Sequence, residues 1–160
     1  MTAANPHPPM FTGVHPRLLD GAQRIIVPKS WRGLKIREFY LIPGSAKPFI
    51  KAMTPAEYAD KVAEIKGNKL LSPLKRNAHL RSLGHQCQHV AVDDAWRLTI
   101  PADFCKKIAI SATKPDLLLV GAVDGFEIWK PKDFADWQKE QTGPDESGQP
   151  QMNVQEFLGL

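Results

Sequence analysis

The chain has 160 residues, 42% of them apolar, which suffices for one conventional domain or two small halves sharing a core and excludes a wholly disordered protein. No apolar run approaches the ~20 residues that span a bilayer, and the opening MTAANPHPPM lacks the basic start and hydrophobic stretch of a secretory leader. The net charge of +4 hides a division, because residues 1–92 carry 14 Lys/Arg against 5 Asp/Glu (+9) and residues 93–160 carry 7 against 12 (−5). A basic first half suggests a polyanionic partner, with attraction between unlike halves of neighbouring subunits as the plainer alternative. The two cysteines, Cys87 and Cys105, read as reduced thiols of a cytosolic protein.

In chain order, the proline-rich residues 1–10 predict a disordered arm. Phe11 to Leu19 predicts an extended segment, Asp20-Gly21 a turn, and Arg24 to Val27 a short β-branched strand. Pro28 suits the first turn of a helix, which Gly33 keeps short and from which Trp31 points into the core. Phe39 to Pro43 and Phe49 to Met53 predict a hairpin. A helix from Pro55 follows, capped by Thr54, with Glu57 completing a capping box and Tyr58, Val62 and Ile65 at helical spacing. A second helix is predicted over Ser72 to Leu83, closed by Gly84.

The remainder repeats the plan. DGAQRIIVPKSW (Asp20 to Trp31) returns 73 positions later as DDAWRLTIPADF (Asp93 to Phe104), aligning Asp20 with Asp93, Arg24 with Arg97, Pro28 with Pro101 and Trp31 with Phe104. Two such copies in register indicate an internal duplication. His85 to Val92 predicts the strand before the second copy. Leu117 to Gly121 and Phe126 to Trp129 predict a hairpin about Asp124-Gly125. PKDFAD at Pro131 then matches PAEYAD at Pro55 with a shift of 76, which places three extra residues around Ser111 to Asp116. The expected organisation is an arm (1–10), a first repeat (11–66), a helical linker (67–84), a second repeat (85–141) and a flexible, Gly/Pro/Ser-rich tail (142–160), in which Asn153 can cap a turn presenting Val154, Phe157 and Leu158.

These motifs resemble the MraZ family. MFTGVHPRLLDGAQRIIVPKSWR is similar to its first repeat, LGHQCQHVAVDDAWRLTIP to its Leu-Gly-His stretch and second Asp-x-x-x-Arg, and LLLVGAVDGFEIWKPKDF to its Leu-Val-Gly … Phe-Glu-Ile-Trp hallmark. The resemblance runs from Met10 to about Gln141. It implies an α+β fold: an AbrB/MazE-like swapped-hairpin β-barrel of two tandem repeats, with flanking helices. It also implies a ring-shaped homo-oligomer and a nucleoid-associated transcriptional regulator that binds repeated sites upstream of the division and cell-wall operon containing its own gene. The family's DNA-binding Arg maps onto Arg24, and its Asp onto Asp20. The chain departs from the pattern at Gln23 and Trp96, where Gly usually precedes each Arg, at Ala22, where a basic residue is common, and at Thr12, often Arg.

The residues themselves support two roles for Arg24: a surface bridge to Asp20 worth about 0–1 kcal/mol, or contact with DNA phosphates or guanine edges. Arg17, Lys29, Arg32, Lys35 and Arg37 surround it in sequence and suit phosphate contact, whereas Asp93, Arg97, Pro28 and Pro101 belong to the structural device. The expected partners are double-stranded DNA with direct repeats and further copies of the chain, with no membrane, small-molecule substrate or cofactor. His85, Cys87 and His89 fall on one face of the predicted strand, but a closed zinc site needs four ligands and no standard spacing supplies the fourth. No nucleophile elbow or phosphate-binding Gly loop is present, so no enzyme is expected. An oligomeric protein-interaction scaffold is the alternative from another class.

Overall fold

The structure, a computed structural model, describes residues 10–110 and 115–160. All of the expected disordered arm except Met10, and part of the expected insertion, therefore lie outside the described residues. Strands β1 (Val14–Leu18), β2 (Arg24–Ile26), β3 (Glu38–Pro43) and β4 (Phe49–Met53) are joined by α1 (Lys29–Arg32) and followed by α2 (Pro55–Gly67) and α3 (Pro73–Gln86). The same order then recurs as β5 (Gln88–Ala91), β6 (Arg97–Thr99), α4 (Ala102–Lys107), β7 (Asp116–Gly121), β8 (Gly125–Trp129) and α5 (Pro131–Thr142), before a last short α6 (Val154–Leu158). No described helix is long and apolar enough to cross a membrane.

The two halves exchange strands rather than folding side by side. The main sheet runs β1-β7-β8-β4-β3-β5, so β1 pairs with the second half's β7 and β5 with the first half's β3. A separate two-stranded ribbon joins β2 to β6. An approximate twofold axis passes between Ile25 and Leu98, which oppose each other and are equivalent under the shift of 73, and between Lys51 and Glu127, which do the same under the shift of 76. The fold is mixed α+β, but the hydrogen-bonded order ends at β1 and β5 and does not close into the expected barrel. The physical reason is local: each Asp turn diverts the chain, so that β2 and β6 leave the main sheet and pair with one another.

The core lies between sheet, ribbon and short helices. Phe11, Trp31, Phe39 and Phe126 pack edge-to-face and tilted with centroids 5.0–6.0 Å apart, and the Trp31 Nε1–H donates to the Thr12 carbonyl at 3.0 Å, so the indole is buried without losing its hydrogen bond. Ile25 and Leu98, the inward residues of the ribbon, are fully buried. Their burial contributes roughly 1.5–3 kcal/mol each.

Several local expectations change. The helix expected to close at Gly84 continues to Gln86: Gly84 does not take the positive φ of a helix-ending glycine, and the Cys87 N–H still donates to the Leu83 carbonyl. His85 is consequently helical, and His85, Cys87 and His89 do not share a strand face. At the second hairpin the left-handed residue is Val123 (φ 70°), while Gly125 already belongs to β8. A Cβ on Gly125 would lie 2.4 Å from the Ala52 carbonyl oxygen, so close approach of β4 and not turn geometry explains this glycine. Thr54 caps α2 by accepting from the Glu57 N–H, but the Glu57 carboxylate lies 3.4 Å from Lys51 Nζ and completes no capping box. The extra residues also divide differently. β7 follows β3 by 78 positions, five more than the turn shift, and the first hairpin loop is two residues longer than the second, leaving the net three.

Candidate nucleic-acid interface

Each Asp-x-x-x-Arg folds into the same closed loop. Asp20 Oδ1 accepts from the backbone N–H of Ala22 (2.9 Å) and Arg24 (2.8 Å), and Oδ2 accepts from Arg24 Nε (2.8 Å). Asp93 repeats this with Ala95 (2.9 Å), Arg97 (2.9 Å) and Arg97 Nε (2.7 Å). In both loops the residue before Arg is left-handed, Gln23 at φ 61° and Trp96 at φ 58°, which completes a three-residue connection. These are the two positions where the family pattern prefers Gly, and the backbone explains that preference. Gly21, expected to make the turn, does not have a positive φ. The backbone N–H of Arg24 and that of Arg97 are the main causes that hold the Asp20 and Asp93 carboxyls below their ordinary value.

Ribbon pairing decides what the arginines face. Arg24 opposes Thr99 and Ile26 opposes Arg97, while Ile25 and Leu98 point inward. Arg24, Ile26, Arg97 and Thr99 therefore share the outer face, with the two arginines in diagonal positions about 7–8 Å apart. Each is roughly one-third exposed. The Nε of each holds its Asp, and among the described residues no hydrogen-bond partner takes the terminal nitrogens of either. The structure thus brings Arg97, expected only as a fold element in an acidic half, onto the same face as Arg24.

The other expected cations separate. Arg17, on β1, borders a hollow with Leu18, Ile26 and Asp116, and so lies beside the ribbon. Arg32 donates from Nε to the Val27 carbonyl (3.2 Å), and its guanidinium carbon lies 5.9 Å from the centre of the Trp96 ring. Arg37 stacks on that ring at 4.0 Å and reaches the Asp93 carbonyl at 3.5 Å. Arg32 and Arg37 thus attend the second loop, not the first. Lys29 is exposed at the start of α1 and Lys35 three residues beyond its end, Lys35 in a left-handed conformation (φ 59°). Pro28 and Pro101 precede α1 and α4 at equivalent positions. Sequence reasoning missed the Arg37–Trp96 stack, whose only local signal was an aromatic residue in a turn where Gly is usual. Among the described residues no three His, Cys, Asp or Glu side chains are grouped to hold a metal ion.

This geometry defines a class: a duplicated, strand-exchanged α+β protein presenting a two-stranded ribbon with paired arginines. A family model described as "MraZ protein, putative antitoxin-like" matches residues 85–152. The chain is also similar to a protein named transcriptional regulator MraZ from Alcanivorax borkumensis, with 28% identity over 131 residues covering 79% of this chain and 87% of that one. Proteins of the same name from two strains of Mycobacterium leprae are 26% identical over 130 residues, covering 81% of this chain and 87% of theirs. The chain is thus similar to MraZ proteins over about four-fifths of its length, and its second half matches the family model.

Proposed function

We propose that the protein is a sequence-specific DNA-binding transcriptional regulator that acts as a ring-shaped homo-oligomer on direct repeats upstream of its own operon, in the division and cell-wall gene cluster. The observation that carries this is the outer face of the β2–β6 ribbon, where Arg24 and Arg97 stand together and, among the described residues, no hydrogen-bond partner occupies their terminal nitrogens. A two-stranded ribbon is thin enough to enter the major groove, and an arginine fork matches guanine edges or a phosphate. Arg17, Lys29, Arg32 and Lys35 supply phosphate contacts that add affinity without sequence preference. The names of the relatives support regulation, and the strand exchange supports a swapped-hairpin fold of the AbrB/MazE type. Repetition of the ribbon around a ring would raise avidity on repeated sites. Such a regulator works in the cytoplasm, at the nucleoid.

Fluorescence polarisation on a direct-repeat duplex at several salt concentrations tests this. Log K should fall by about 0.9 per phosphate neutralised for each log unit of salt. Arg24→Ala should lower affinity at least tenfold while native mass stays unchanged. A loss within threefold, about 0.65 kcal/mol, overturns the assignment. One observation favours the protein-interaction scaffold instead: both arginines make the same fold-bearing bond to an Asp. That reading predicts that Arg24→Ala changes assembly and leaves DNA affinity untouched.

A further inference from the structure

An apolar hollow of about 390 Å³ lies where α2 crosses the sheet, walled by Ile42, Met53, Ile65, Leu71 and Leu83, with Lys61 at its rim. The duplication shows what is missing there. Under the shift of 76, Met53 corresponds to Trp129 and Lys61 to Trp137. In the second half these two indoles lie 6.0 Å apart and pack with Phe134. The first half therefore has the same helix-on-sheet corner without its two large aromatics.

The tail carries matching groups. Asn153 forms a full capping box with Glu156, so α6 holds a defined helical turn that places Val154, Phe157 and Leu158 at helical i, i+3 and i+4 spacing. All three are more than half exposed, as is Leu160. Beyond α5 the tail has three acids (Asp145, Glu146, Glu156) and no Lys or Arg, whereas the hollow is lined by Lys51, Lys61 and Glu64 and α3 beside it adds Lys75, Arg76 and Arg81 with no acid. Charge complementarity thus accompanies the apolar fit. Gln151 Nε2 donates to the carbonyls of Glu140 (3.0 Å) and Gly143 (2.8 Å), tying the tail to the end of its own α5 with its apolar side chains in solvent.

We infer that α6 of one subunit docks, Phe157 first, into the α2–α3 hollow of a second copy of this chain. The contact is a helix-in-groove contact. The inference rests on the homo-oligomer of the proposed function but not on DNA binding. The experiment places a photo-crosslinking benzoylphenylalanine at position 157 of the full chain, with native mass recorded on the same sample. The expected result is a dimer-sized product on a denaturing gel whose acceptor peptides contain Ile65, Leu71 or Leu83. Lys61→Trp, which imitates the filled second half at an exposed position, should cut the yield at least fivefold, and Leu71→Arg should do the same. A monomer-sized product on those peptides means the tail folds back on its own chain and overturns the second copy as occupant. Crosslinks elsewhere, no crosslinks, or an unchanged yield in both variants overturn the site. If native mass shows a monomer, the oligomer fails as well; an oligomer with no such crosslink removes only the docking.

Discussion

The loops Asp20–Arg24 and Asp93–Arg97 have the same hydrogen bonds to within 0.1 Å and the same left-handed residue, yet they sit among different neighbours. Around the first, Gln23 borders a hollow of about 330 Å³ with Ala102, Cys105, Lys106 and Ile110 from the second half. Around the second, Trp96 fills the corresponding place and carries Arg37 on its face, with Arg32 nearby. Strand exchange causes the difference. Each loop leans on the short helix of the other half, so Arg32 and Arg37, near Arg24 in sequence, are delivered to the Asp93–Arg97 loop in space. Charge counted along the chain therefore misplaces the basic surface. It belongs to the ribbon as a whole and not to one copy of the motif.

The largest expected effect tests whether the ribbon is one unit. Ile25→Ala and Leu98→Ala each open a cavity at the twofold, and each should cost about 2–5 kcal/mol in urea unfolding. The two costs should agree within about 1 kcal/mol, since both side chains are fully buried and oppose each other. A twofold-or-greater disparity would show that the halves contribute unequally, and the comparison would break at its centre.

What the sequence made legible was local. The Asp-x-x-x-Arg repeat, the strand after it, Pro28 before α1 and the Thr54 cap of α2 each depend on residues within a few positions, and each was readable. The strand exchange was not readable from the residues themselves and entered only through the swapped hairpin that the family resemblance implies, because nothing within β1 or β7 distinguishes pairing with the neighbouring repeat from pairing within its own. Gly84 misled for a related reason: glycine in a helix costs only about 1 kcal/mol against alanine, less than the turns around it supply. Asp124-Gly125 misled because a glycine needed for close approach looks the same as one needed for a positive φ.

A smaller effect separates the two left-handed residues. Gln23→Gly should relieve the strain of a side chain at φ 61°, a gain of about 0.5–1 kcal/mol after the entropy that glycine adds to the unfolded chain. Trp96→Gly relieves the same strain but removes the ring under Arg37, worth about 0.5–1 kcal/mol for the stack alone. The buried part of the indole is lost as well, so the second substitution should destabilise by about 1 kcal/mol. Opposite signs in thermal unfolding sharpen the comparison. Equal signs would mean that the Trp96–Arg37 contact and the buried indole together contribute less than the backbone strain they accompany.

The smallest effect concerns what the loops share. Asp20 and Asp93 both have carboxyls held below their ordinary value in the folded chain, first by the Arg24 or Arg97 N–H and then by the guanidinium. A carboxylate whose folded pKa is depressed contributes stability that is fully present above its unfolded value near 3.9 and is lost as pH falls through the folded value. Asp20→Asn keeps an oxygen to accept the backbone N–H bonds but removes the charge, so it isolates the ionised form. The urea midpoint of wild type should therefore exceed that of Asp20→Asn by a constant margin between about pH 5 and pH 7, and the margin should shrink as pH drops below 4. Asp93→Asn should trace the same curve, because the two loops present the same donors at the same distances. A margin that persisted to pH 2 would locate the stabilisation in geometry rather than charge. Different curves for the two variants would show that Arg37 and Arg32, gathered at the second loop alone, act on Asp93 through the field as well as through Trp96.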